Sequence, residues 1–213
     1  MDDQPFEQHE AVLGSRLRRR TLNLCPELEL WLLGDDVDLN RRVSELLSIE
    51  RAPYWAFCWA SGQALARYVL DQPELVRGKR VVDFGAGGGV AAIAALRSGA
   101  HSALAVDLDP HALRAAHANA RLNGVALETA CALPEQFDVL LAGDVLYELG
   151  NRELLLAAIE RGCTVLVGDP LREGNARLTL PERARYAVTT MPDVDAPLAT
   201  AVIYHLERGQ PLP

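Results

Sequence analysis

The chain has 213 residues, 49% hydrophobic and 23% charged, with 21 basic against 29 acidic side chains and a formal net charge of −8. That composition excludes a disordered tail or a collagen-like fibre. The acidic balance argues against a nucleic-acid binder held by phosphate contacts. At roughly 1.4 typical domain lengths the expectation is one domain with an extension, divided as 1–52 (a substrate-side cap) and 53–213. The acidic start and the lack of any apolar run of about 18 residues lead us to expect a cytoplasmic protein without a membrane partner. Cys25, Cys58, Cys131 and Cys163 are scattered, with no C-x-x-C pair, and the five histidines form no cluster. Reduced, mostly buried thiols and no metal site are expected.

In chain order, residues 15–33 alternate polar and apolar around Cys25-Pro26-Glu27 and predict a β-hairpin. Within it Arg16, Arg18, Arg19 and Arg20 read as a solvated strand end or as a docking surface for an acidic partner. A short amphipathic helix is expected over 39–48, with Val43, Leu46 and Leu47 on one side. Ser61 can cap a helix running to Leu70, closed by Asp71-Gln72-Pro73. Strands then alternate with helices: strand 80–84, helix 90–97, strand 103–106, and helix 110–122 with Asp109 as cap and Pro110 in first position. Strands at 126–129 and 138–142, a helix at 152–160 and a strand at 164–167 follow. Two β-branched runs, 185–190 and 200–206, end the series with no helix between them. This order predicts an α/β fold: a mostly parallel sheet covered on both faces, with an antiparallel hairpin at one edge.

The chemistry begins where strand 80–84 feeds Gly85-Ala86-Gly87-Gly88-Gly89 and a helix. Glycine turns of this kind let backbone amides approach a nucleotide closely. Gly87 to Ala92 satisfies G-x-G-x-x-A, so a nicotinamide cofactor has to be weighed. Asp83 argues against it, because a carboxylate two residues before the first glycine would repel a pyrophosphate. S-adenosylmethionine carries no phosphate, and its sulfonium and ammonium are cations that a carboxylate attracts. Asp107 ends the next strand 18 residues after Gly89 and is placed to accept from both hydroxyls of an adenosine ribose, or to serve as a turn residue beside Asp109. Carboxylates recur at later strand tips, Asp144 with Glu148 and Asp169 with Glu173, a rim that suits a cationic cofactor and a basic substrate.

The sequence resembles the seven-β-strand protein-lysine methyltransferases, among them those modifying the β-subunit of electron transfer flavoprotein. The resemblance rests on the segment from Pro53 to Leu65 with Trp55 and Trp59, on Asp83 to Gly89, on Asp107-Leu108-Asp109-Pro110, on Gly143-Asp144-Val145-Leu146-Tyr147 and on Gly168-Asp169-Pro170. It covers residues 53–170. It implies a Rossmann-like, seven-stranded methyltransferase sheet, S-adenosyl-L-methionine as methyl donor with S-adenosyl-L-homocysteine as product, and a protein substrate, the flavoprotein β-subunit. It also implies cofactor contacts from Trp59, Gly85, Gly87 and Asp107, joined by Asp83 from the charge argument, and target-lysine contacts from Asp144 and Tyr147. One departure stands out: Cys131-Ala132-Leu133-Pro134-Glu135-Gln136 offers no acidic residue at the position the family often uses to read adenine.

Other readings of these residues remain open. Trp55 and Trp59 wall the cofactor, with cation–π attraction to a sulfonium, or anchor the N-terminal segment to the core. Asp144 is also a candidate helix N-cap, Tyr147 a packing residue and Gln63 a structural one. Two further functions remain open: methylation of a small amine, a nicotinamide-like ring or a ribosomal protein, and a non-catalytic module that binds cofactor and acts by association.

Overall fold

The structure is a computed structural model that describes residues 17–34, 53–146, 149–171, 182–194, 200–206 and 208. The expected helix at 39–48 lies outside them, as do Arg16, Tyr147, Glu148 and Glu173.

The predicted hairpin is present. Strands β1 (Leu17–Thr21) and β2 (Glu29–Leu33) pair antiparallel in a small sheet of their own. Leu28, Leu30 and Leu32 are buried, so the polar–apolar alternation of the sequence is one apolar face turned inward. Arg19 forms an ion pair across this hairpin with Glu29.

The main sheet has seven strands in the order β5-β4-β3-β6-β7-β9-β8. Its members are β3 (Arg80–Phe84), β4 (Ser102–Val106), β5 (Glu128–Ala130), β6 (Val139–Gly143), β7 (Thr164–Asp169), β8 (Ala184–Ala187) and β9 (Thr200–Leu206). Strands β3 to β7 are parallel to one another, while β9 runs antiparallel to both β7 and β8. The edge pair is therefore antiparallel, as the missing helix predicts. That β9 inserts between β7 and β8 was not foreseen.

The side-chain alternation of each strand divides the core in two. Val81, Val139, Leu141 and Leu166 pack with helices α1 (Ala60–Asp71), α2 (Val90–Arg97) and α3 (Pro110–Leu122) on one face. Val82, Leu140, Ala142, Val165 and Val167 pack with Leu155, Ala158 and Ile159 of α4 (Leu149–Glu160) on the other. Burial on both faces is why these strands read as continuous apolar runs. Each fully buried Val or Leu contributes about 1.5–3 kcal/mol. No helix among the described residues is long and apolar enough to cross a membrane.

Three sequence expectations need correction. Ser61 does not cap α1: the N-cap is Trp59, and the Ala60 amide donates instead to Thr190 Oγ1 at 3.3 Å. Ser61 is buried two positions past the cap, where α1 presses on the tip of β7. The third strand of the sheet begins at Glu128, two residues later than expected, because its register is set by pairing Leu104 with Glu128. The run 185–190 is a strand only to Ala187. Beyond it the chain crosses to the N-terminal side, where Met191 and Cys58 exchange backbone hydrogen bonds of 2.8 and 2.9 Å.

Candidate functional site

A cleft of about 900 Å³ opens at the carboxyl ends of β3, β4 and β6, the edge where open α/β sheets bind ligands. Its floor is the glycine loop. Gly85, Gly87 and Gly89 have φ of 67°, 50° and 78°, in the left-handed region that favours glycine. Gly89 is required twice over, since a Cβ there would lie 2.9 Å from Ala116 Cβ of α3.

Trp59, Asp83, Gly85, Gly87, Asp107 and Asp144 all line this one cleft. Asp107 is half-buried; its Oδ2 accepts from the Gly87 amide at 2.9 Å and its Oδ1 from the Asp109 amide at 2.9 Å. Asp109 caps α3 as expected, accepting from the His111 amide at 2.8 Å. Asp83 is buried, and its Oδ2 accepts from the Ala92 amide in the first turn of α2 at 3.0 Å. Burial pushes its carboxyl up to about 7, with the charge of Asp107 adding to the rise and the Ala92 hydrogen bond opposing it. Asp144 follows β6 with φ of 54°, and its amide donates to Gly168 O at 2.9 Å. It stands well before Leu149, the first residue of α4, and is not that helix's N-cap.

The aromatic wall comes from the segment before α1. Trp55 is buried against Leu17, Leu33, Ala112 and Ala115, yet also borders the cleft. Trp59 is half-buried, donates from Nε1 to Tyr54 O at 2.9 Å, and packs at 5.9 Å from the Tyr54 ring and 5.7 Å from that of Phe57. For Trp55, then, core anchor and cleft wall coincide. Gln63 takes the structural role: its Nε2 clamps Cys58 O at 3.2 Å to Thr189 O at 2.8 Å. Asp169 does not join the rim. It is 2% exposed, accepts from the Leu171 amide at 2.8 Å and lies outside the cleft lining.

Among the described residues, four carboxylates (Asp83, Asp107, Asp109 and Asp144) and no lysine, arginine or histidine line the cleft. The site is thus built for a cationic or neutral ligand and against a phosphorylated one.

The family model for ribosomal protein L11 methyltransferase (PrmA) matches residues 63–154, a span holding the glycine loop, Asp107 and Asp144. The electron transfer flavoprotein beta subunit lysine methyltransferase of Xenopus laevis is 39% identical over 165 residues, covering 70% of this chain and 65% of that protein. The homolog of that enzyme in Caenorhabditis elegans is 34% identical over 175 residues, covering 70% of this chain and 71% of the worm protein. The chain belongs to the electron transfer flavoprotein β-subunit lysine methyltransferase family. It spans just under two thirds of the length of its frog relative. In structure, a candidate RNA methyltransferase from Pyrococcus horikoshii superposes with a TM-score of 0.55 at 18% identity, over 70% of this chain and 81% of that one. That likeness establishes the shared fold.

For this member of the lysine methyltransferase family, several cleft residues were missed from sequence. Leu30 of the hairpin and Val194 of the β8–β9 connection both line the cleft, brought there from distant parts of the chain. Leu108, between the two aspartates, is 89% exposed at the cleft edge; its apolar side chain among polar neighbours was a signal. Outside the lining, Asn119 in the alanine stripe of α3 and Asn123 at its C-cap are further polar positions that were missed, and Asn119 reaches the glycine loop.

Proposed function

We propose that the protein is an S-adenosylmethionine-dependent protein-lysine N-methyltransferase whose substrate is the β-subunit of electron transfer flavoprotein. The observation that carries this reading is a cleft with four carboxylates and no basic side chain among its described lining residues, set against a glycine loop. A cationic, phosphate-free nucleoside matches that donor set, and a phosphorylated dinucleotide does not. Family membership supports the substrate, and the free thiols Cys25, Cys58, Cys131 and Cys163 support a reducing, cytoplasmic setting.

In this reading Asp107 accepts from the ribose hydroxyls, Gly85 and Gly87 let the backbone come close, and Asp83 faces the cationic end of the cofactor. Leu108 gives adenine an apolar surface, which replaces the acidic reader absent from residues 131–136. Trp59 and Tyr54 close the near wall. When bound, S-adenosylmethionine supplies a methyl carbon already activated by sulfonium, so the protein's share is alignment and exclusion of water. The target lysine must first lose a proton, which from a reference pKa of about 10.4 costs roughly 4–5 kcal/mol at pH 7. Asp144 attracts the ammonium and orients it; it is a binding group, since its charge opposes deprotonation. The proton leaves to water, helped by desolvation and by repulsion from the nearby cation. Tyr147 is assigned to the same lysine contact, and residues 1–52 to the substrate-side cap.

The test is transfer of label from methyl-labelled cofactor to purified flavoprotein β-subunit. Wild-type protein should label it; Asp144→Ala should bind S-adenosylhomocysteine normally and transfer far more slowly. A full-speed mutant removes Asp144 from the site. Labelling of a small amine but of no protein refutes the protein substrate, and cofactor binding without any transfer refutes the enzyme. Lys79 is the only lysine and lies just before β3, at the end of the sheet away from the cleft, so self-labelling does not obscure the result.

A further inference from the structure

Helix α3 and its C-cap bury two asparagines one turn apart: Asn119, in a stripe otherwise made of Ala112, Ala115, Ala116 and Ala120, and the capping residue Asn123. A buried amide is costly unless its polar atoms are paired, and both are paired. Asn123 Oδ1 accepts from the Glu29 amide at 3.1 Å, while its Nδ2 donates to Glu29 O at 2.6 Å and to Asn119 O at 2.8 Å. Asn119 Oδ1 accepts from the Trp31 amide at 2.8 Å. Together the two side chains close the outer edge of β2, as a neighbouring strand would. Only Asn119 reaches further. Its Nδ2 donates to Gly88 O, in the glycine loop, at 2.9 Å.

We infer that Asn119 is a positioning residue that couples the N-terminal hairpin to the cofactor loop, so that the seating of β2 sets cofactor affinity. The inference rests on the reading of the cleft as an S-adenosylmethionine site. The loop is held from two sides: Asp107 Oδ2 fixes the Gly87 amide and Asn119 fixes the Gly88 carbonyl. Space on the second side is tight, for a Cβ on Gly88 would meet Asn119 Nδ2 at 3.2 Å and Trp55 O at 3.4 Å. Without the Asn119 donor, Gly88 O is a buried acceptor with no other donor among the described residues. The peptide between Gly88 and Gly89 can then turn, and the cofactor must reorder the loop when it binds. The hairpin touches the cleft directly through Leu30, and the adjacent residue Trp31 holds Asn119. A protein substrate that seats on the hairpin therefore also steadies the loop, and by linkage the cofactor favours the seated hairpin by the same factor.

Asn123 provides a second probe, because it seats the same strand with no bond of its own to the loop. Calorimetric titration of the full chain with S-adenosylhomocysteine should show Asn119→Ala binding about tenfold more weakly than wild type. Asn123→Ala, which loosens β2 but leaves the Asn119–Gly88 bond in place, should lower the melting temperature and also weaken binding, by less than Asn119→Ala does. An unshifted Kd in either variant would overturn the coupling. Should Asn119→Ala fail to fold, amide exchange on the wild-type protein decides: the Trp31 amide must gain protection when S-adenosylhomocysteine binds, and no gain overturns the proposal. Wild-type protein that takes up no S-adenosylhomocysteine overturns the cofactor reading itself, a failure distinct from binding without coupling.

Discussion

Both carboxylate oxygens of Asp107 accept from backbone amides, one from Gly87 and one from Asp109. Each oxygen keeps a lone pair for a hydroxyl donor, so the residue can shape the loop and hold a ribose at once. Replacing Asp107 with alanine should weaken S-adenosylhomocysteine binding by about 1–3 kcal/mol, read by calorimetry; unchanged affinity would remove it from the ribose. Asp83 behaves differently because it is buried. Its carboxyl in the folded protein titrates at about 7, well above the ordinary 3.8, so the folded state holds an extra proton between those values. Its contribution to stability is full below the unfolded value and is lost as pH rises through about 7. Thermal melts from about pH 5 to about pH 8 should therefore show wild type losing stability relative to Asp83→Asn. Cofactor affinity should move the other way: a cation favours the carboxylate, so binding tightens over the same rise. A wild-type melting profile parallel to that of Asp83→Asn would contradict the burial argument.

Elements defined by local signals were legible in full. Strand Arg80–Phe84 and helices Val90–Arg97 and Pro110–Leu122 have the predicted bounds, since Gly89, Asp109 and Pro110 mark starts that depend on nearest neighbours alone. Helix α1 was less legible. Its start depends on Thr190, from the far end of the chain, and on the absence of a side chain at Gly168. A Cβ at Gly168 would lie 2.7 Å from Ser61 O and 3.0 Å from Leu65 Cγ. Gly168→Ala should thus lift α1 off β7 and cost about 1–3 kcal/mol in urea unfolding. A neutral effect would mean that α1 can shift without strain. Because Trp59 is the N-cap of α1, the same variant should also disturb the aromatic wall of the cleft.

At the scale of the molecule the charge of the cleft follows that of the whole chain, at −8. Aspartates at the tips of neighbouring parallel strands reinforce one another's field. NADH, which satisfies the glycine pattern but carries a pyrophosphate, should show no binding at concentrations where S-adenosylhomocysteine saturates; a micromolar complex would defeat the charge argument. The β8–β9 connection and the N-terminal hairpin both line this cleft, through Val194 and Leu30. The cleft lining thus draws on parts of the chain that are far apart in sequence.

The amino-acid sequence by itself determined the parallel α/β sheet, the glycine turn and the aspartates at the ends of β3, β4 and β6. Periodicity, caps and turns act over a few residues and leave their mark in any window. Only the tertiary structure decided that β9 lies between β7 and β8, that Asp169 turns away from the cleft while Asp144 lines it, and that Asn119 ties β2 to Gly88. Those outcomes depend on which buried polar groups find partners across the fold, and such pairings join residues as distant as Ala60 and Thr190.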